Sequence, residues 1–125
     1  MIALDASALL AFLFRERGHE RVGAVIETAY LSAVNLSEVI GRFVRDGHDA
    51  RTVLQRLTSS TIEIVPFTTA DAALAASLVL QTRALGLSLG DRACLALALA
   101  RRIPAVTADR AWARLHIGID IQVVR

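Results

Sequence analysis

The chain has 125 residues and a formal net charge of +2, and all 14 of its basic residues are arginine. An apolar fraction of 54% excludes a disordered chain, a lone cysteine excludes a disulfide scaffold, and the length suits one compact domain over 1–125. Without lysine there is no Walker A loop and no Schiff-base chemistry, and the seven glycines never form the G-x-G-x-x-G of a dinucleotide site.

The opening segment Met1-Ile-Ala-Leu-Asp5, followed by the apolar run to Phe14, lacks a basic leader and is too short to span a bilayer. It reads as a buried strand over 2–4 leading into a helix over 6–15, in a cytoplasmic protein with no membrane contact. Apolar spacing then predicts a helix over 19–28, a strand over 30–33, and helices over 35–46 and 49–58. Ile62–Val65 reads as a strand closed by Pro66. The helix expected over 70–85 is apolar nearly all round, which implies burial on more than one side. Gly86 stops it, and a strongly apolar helix follows over 89–101. A strand over 104–107, a short helix over 110–115 and a strand over 120–124 complete the chain. Alternating short strands and helices predict an α/β fold with a mainly parallel sheet covered on both faces. In such sheets, ligands bind beyond the carboxyl ends of the strands.

Four acids fall at such positions. Asp5 ends the first strand, Glu38 lies in the first helical turn expected after the second, Asp91 opens the 89–101 helix, and Asp109 follows the fourth strand. Each has a plain structural reading as a helix cap, and Ser88-x-x-Asp91 and Asn35-x-x-Glu38 resemble capping boxes. Together they suggest more. Like charges ~4–5 Å apart repel by several kcal/mol at an effective dielectric of about 20. Convergence therefore calls for raised pKa values or a cation between the groups. An all-oxygen set suits Mg²⁺ or Mn²⁺; one ion leaves the four acids at −2, and two neutralise them. Such a site polarises a phosphoryl oxygen and acidifies water, which points to a phosphodiester substrate. With the four set aside, eight acids face fourteen arginines, a balance that permits a polyanionic partner.

The segments Leu4-Asp5-Ala6-Ser7, Leu31-Ser-Ala-Val-Asn-Leu-Ser-Glu38, Leu87-Ser-Leu-Gly-Asp91-Arg-Ala-Cys-Leu-Ala and Thr107-Ala-Asp109-Arg run in order across the chain. In these segments the chain resembles a PIN domain, in particular the VapC-type toxin of bacterial toxin–antitoxin pairs. The resemblance implies a three-layer α/β/α fold with strand order 3-2-1-4-5. It also implies a Mg²⁺- or Mn²⁺-dependent endoribonuclease whose products carry a 5′-phosphate and a 3′-hydroxyl. The acidic quartet of that family corresponds to Asp5, Glu38, Asp91 and Asp109, and its small hydroxyl residues near the metal correspond to Ser7 and Thr107. A homodimer, inhibited by a small antitoxin whose C-terminal segment enters the active-site groove, is implied as well.

Other residues carry weaker signals. His19, His48 and His116 share no ligand spacing. Arg42 and His48 fit the R-x₅-H spacing of metal-independent HEPN ribonucleases, an all-helical family, so a metal-independent ribonuclease is one alternative. Arg92 and Arg110, each next to a quartet acid, read either as solvated surface or as phosphate contacts. Cys94 reads as a core thiol and Trp112 as packing for the short last helix. A catalytically inactive RNA-binding module that keeps the fold, and a flavodoxin-like binder of a small molecule, are the non-nuclease alternatives. Apolar residues on helix 70–85, with Val39, Ile40, Phe43 and Val44, exceed what one small domain can bury and predict a two-fold dimer.

Overall fold

Strands β1 (Ile2–Leu4) and β4 (Ala105–Thr107) are buried along their whole length and lie side by side. That burial on both faces explains why each reads as an unbroken apolar run rather than an alternating one. In the computed structural model, which describes residues 1–125, they form the middle of a five-stranded parallel sheet with β2 (Ala29–Ser32), β3 (Glu63–Val65) and β5 (Ile121–Val123). The order is β3-β2-β1-β4-β5, as expected. The direction of winding reverses between β1 and β4, which opens a crevice at their carboxyl ends.

Seven helices cover the sheet: α1 (Ala6–Leu13), α2 (His19–Gly23), α3 (Ala33–Arg45), α4 (Ala50–Thr58), α5 (Thr69–Ser77), α6 (Val79–Thr82) and α7 (Leu89–Arg101). The pleat divides the core. Ile2 and Leu4 join Leu9, Val22, Leu31 and Val39 on one face, whereas Ala3 between them joins Cys94, Leu95 and Trp112 on the other. Helix α7 is apolar because every residue from Ala93 to Ala98 is buried. Trp112 is fully buried and packs a 3₁₀ turn, Arg110–Arg114, against this second core. No helix is long and apolar enough to cross a membrane.

Three boundaries differ from the sequence expectation. The helix expected over 19–28 stops at Gly23 and gives way to a 3₁₀ turn at Ile26–Thr28, where the Thr28 hydroxyl donates to the Val25 carbonyl. Helix α3 begins two residues early because Ser32, not Asn35, is its N-cap. The helix expected over 70–85 breaks at Leu78 into α5, α6 and a 3₁₀ turn. There the Thr82 hydroxyl donates 2.8 Å to the Leu78 carbonyl, a back-bond that bends helices. Its burial is also narrower than expected. Ala75, Leu78 and Thr82 are buried, while Val79 is 37% and Leu80 72% exposed, so one stripe faces the core and apolar residues opposite it face outward.

The carboxyl end of the chain is pinned at Gly18, whose φ of +94° is left-handed and whose Cα faces the Val124 carbonyl so closely that a Cβ would overlap it. Gly18→Ala is expected to cost about 2 kcal/mol or more of stability, read as a lower urea midpoint with an unchanged slope.

Candidate active site

The crest of the sheet is built outward from Asp5, the residue after β1. Its backbone ends the strand and its side chain caps α1, with Oδ1 accepting from the Ala8 N–H at 2.8 Å. The Ser7 hydroxyl donates to both carboxylate oxygens at 2.8 and 2.9 Å, and the Thr107 hydroxyl donates to Oδ2 at 2.6 Å. The last bond ties β1 to the end of β4. Thr107 Oγ1 in turn accepts from the Asp109 N–H at 3.0 Å, and Ser7 Oγ accepts from the Ala108 N–H at 3.0 Å. Ser7 and Thr107 thus both bond to Asp5, and the backbone of Ala108 supplies a further donor to Ser7.

Asp5 is 2% exposed. Burial raises its carboxyl from the ordinary 3.8 to about 7; the bonds from Thr107, Ala8 and Ser7 pull it down, and the charge of Asp91 pushes it up again. Desolvation outweighs three hydrogen bonds because an uncompensated charge in a low-dielectric interior loses its whole hydration shell.

The charge of Asp91 reaches Asp5, while Glu38 lies on α3 and Asp109 just past β4. Asp91 occupies the first turn of α7, where it forms the expected capping box: Ser88 N–H donates to its Oδ2 at 2.8 Å and its own N–H donates to Ser88 Oγ at 3.2 Å. Asp109 caps the 3₁₀ turn through Ala111 N–H at 3.0 Å. Capping and placement at the crest coexist in all three aspartates. Glu38 differs. It lies in the second turn of α3 and caps nothing, so the capping box expected at Asn35-x-x-Glu38 does not form. Instead the Asn35 amide donates 2.8 Å to Glu38 Oε1 and 2.9 Å to the Gly90 carbonyl. Gly90 leaves the space that the Glu38 carboxylate occupies; a Cβ there would push that side chain aside. Each acid keeps its own donors, and no three of them are grouped closely enough to hold a metal ion as they stand.

Beneath them Cys94 is wholly buried. Burial raises its thiol well above the usual range, and the charges of Asp5, Asp91 and Glu38 raise it further, so it is an inert core thiol as expected. Arg92 is tied by Nη1 to the Leu87 carbonyl at 3.3 Å, with Nε buried and unpaired, and Arg110 is exposed. Arg42 lies away from this chemistry, paired with Asp46 at 3.2 Å and stacked over Phe14, while His48 packs edge-on against Phe43. The segment Gly86-Leu-Ser88-Leu-Gly90 also spells the G-x-S-x-G of a nucleophile elbow. Its context is wrong: Ser88 follows a 3₁₀ turn rather than a strand, and its hydroxyl is occupied as a helix cap.

The PIN domain family model matches residues 2–117, nearly the whole chain. The chain belongs to the PIN domain family. This PIN domain has the same fold as a toxin–antitoxin complex component from Klebsiella pneumoniae, at 20% identity over 97% of this chain and 100% of that one, with a TM-score of 0.71. It is similarly close to VapC20 of Mycobacterium tuberculosis, described as a sarcin–ricin-loop-cleaving toxin (16% identity, 96% and 99% coverage, TM-score 0.73). DNA-bound VapBC of Salmonella typhimurium gives 19% identity, 99% and 98% coverage and a TM-score of 0.70. Among curated proteins, none matches the sequence.

The raised carboxyl of Asp5 has a consequence for the metal-free PIN domain. Its folded pKa lies above its unfolded one, so stability rises as pH falls from about 7 towards 3.8 and is lost again as pH climbs through 7. Asp5→Asn removes the buried charge and keeps the shape. In EDTA at pH 8 the variant is expected to melt several degrees above the unsubstituted chain, an advantage of a few kcal/mol that shrinks towards pH 5. Melting curves at the two pH values check this.

Proposed function

We propose that this PIN domain is a metal-dependent endoribonuclease, the toxin of a toxin–antitoxin pair. The observation that carries the reading is the buried Asp5 carboxylate, held on three sides by hydrogen bonds at the carboxyl crest of the sheet, with the charge of Asp91 acting on it and Asp5, Asp91 and Glu38 all acting on the Cys94 thiol. Structural relatives described as a toxin–antitoxin complex and as a sarcin–ricin-loop-cleaving toxin support the reaction class and the biological role.

The residues suit a hard divalent cation. Every donor is a carboxylate oxygen, the Gly90 backbone makes room for Glu38, and Asp5 is a buried acid whose charge needs a positive partner. Asp5, Glu38, Asp91 and Asp109 would hold Mg²⁺ or Mn²⁺. When bound, the metal supplies Lewis-acid polarisation of a phosphoryl oxygen and acidifies water for attack on phosphorus. The protein's own part is orientation. Ser7 and Thr107 hold Asp5 in one rotamer across two strands, so the carboxylate would meet a metal already oriented. Arg92 and Arg110 flank two of the acids and are the candidate phosphate contacts. Arg42 and His48 offer no competing catalytic pair, because the Arg42 guanidinium is already paired with Asp46 and the fold is not the all-helical one that reading needs.

Two surfaces suit the partners. A hollow of about 410 Å³, lined by Leu13, Phe43, Val53 and Leu57 with His48, Asp49, Thr52 and Arg56, suits an amphipathic segment of an antitoxin; none of the four acids lines it. The outward residues Val79 and Leu80 of α6, at 37% and 72% exposure, suit the two-fold contact of a homodimer.

The deciding assay is cleavage of total RNA with Mn²⁺. Cleavage is expected to stop in EDTA and to fall at least about 100-fold in Asp5→Asn and Asp91→Asn. Cleavage that survives both treatments overturns the metal site, and Mn²⁺ binding without turnover favours a non-catalytic RNA-binding module. Light scattering of the antitoxin-free chain at micromolar concentration is expected to give twice the monomer mass; a monomer at every concentration overturns the dimer.

A further inference from the structure

We infer that Asn35 is a positioning residue that clamps the Glu38 carboxylate against the first turn of α7, joining the two helices that carry half of the acidic site. The inference rests on the metal-dependent reading of that site. It goes beyond it by assigning a task to a residue outside the quartet.

Asn35 is 1% exposed, three residues before Glu38 on the same face of α3. Its amide nitrogen makes two hydrogen bonds, to Glu38 Oε1 on its own helix and to the Gly90 carbonyl beside Asp91. Both partners are acceptors, so the amide orientation follows from the chemistry: turned over, its oxygen would face a carboxylate and a carbonyl. Its own Oδ1 is buried and makes no hydrogen bond. An asparagine inside a helix, with half of its amide unpaired in the interior, is a poor choice for stability alone. What it gains is geometry. Without the clamp, Glu38 is a long side chain with several rotamers and a charge free to swing towards solvent. With it, the carboxylate is fixed above the Gly90 backbone, in space that only a glycine leaves open.

The test compares Asn35→Leu, which keeps the branched shape and removes both bonds, with Asn35→Ala, which adds no bulk should leucine pack badly. Gly90→Ala acts on the same contact from the other side. Its added methyl meets only the end of a flexible side chain, so it should displace Glu38 while the helix keeps or gains stability. Each full-length variant is titrated with Mn²⁺ by calorimetry, melted in EDTA, and assayed for RNA cleavage. The expected result is a cooperative melt in every case, with Mn²⁺ affinity and kcat each reduced about 10- to 100-fold and KM for RNA unchanged. Mn²⁺ affinity and kcat within about twofold of the unsubstituted chain in either Asn35 variant, whatever the melting temperature, would mean that Asn35 only packs, and overturns the inference. Failure of the unsubstituted chain to cleave RNA overturns the nuclease reading alone, because the Mn²⁺ affinities of the variants still decide the role of Asn35.

Discussion

A carboxylate is buried at the centre of this molecule, and much of the crest is arranged around it. Asp5 terminates the central strand, starts the first helix and receives the hydroxyl that links β1 to β4. Its desolvation is unfavourable enough to hold a proton near neutral pH despite three hydrogen bonds. A fold that keeps such a group in its interior has given up stability at one point. The remaining architecture can be read from this constraint. The parallel order brings β4 next to β1, so that Thr107 reaches Asp5, and α7 runs back across the sheet to bring Asp91 to the same end.

Capping and a place in the proposed site are not rivals here. Asp5, Asp91 and Asp109 each accept backbone N–H groups at the start of a helical segment, and those bonds are what hold the side chains still. A helix start supplies donors and a favourable dipole for an acid, so it can carry a negative charge at the edge of a cleft at little cost in stability. Glu38 lacks this support. It comes from the second turn of α3 and depends on a side-chain amide and a glycine for its place, which makes it the member of the quartet most exposed to changes around it.

The outer layers show a second division. Helix α7 is buried on nearly all sides, and its apolar composition is fully used. Helices α5 and α6 have a similar composition but bury only a stripe, because they cover the sheet from outside and bend at Leu78. Composition alone does not separate a central helix from a peripheral one with an apolar outer face. The distinction depends on which helices another layer covers.

The alternation of strands and helices and the parallel sheet were legible in the sequence, because buried strands read as unbroken apolar runs, whereas the strand order followed only from the family resemblance carried by four segments in order along the chain. Caps carried by local chemistry were legible too: Ser88 and Asp91 need only a three-residue spacing, which any helix start provides. The part played by Asn35 was not legible. Its spacing to Glu38 copies a capping box, and only the approach of Gly90, 55 residues further along, turns that pair into a clamp between helices. The break at Leu78, the outward face of α6 and the raised carboxyl of Asp5 belong to the same class. Periodicity and spacing record what a segment does with its own neighbours. Desolvation, overlap and hydrogen bonds between distant segments exist only once the chain has closed on itself, and those were decided by the tertiary structure.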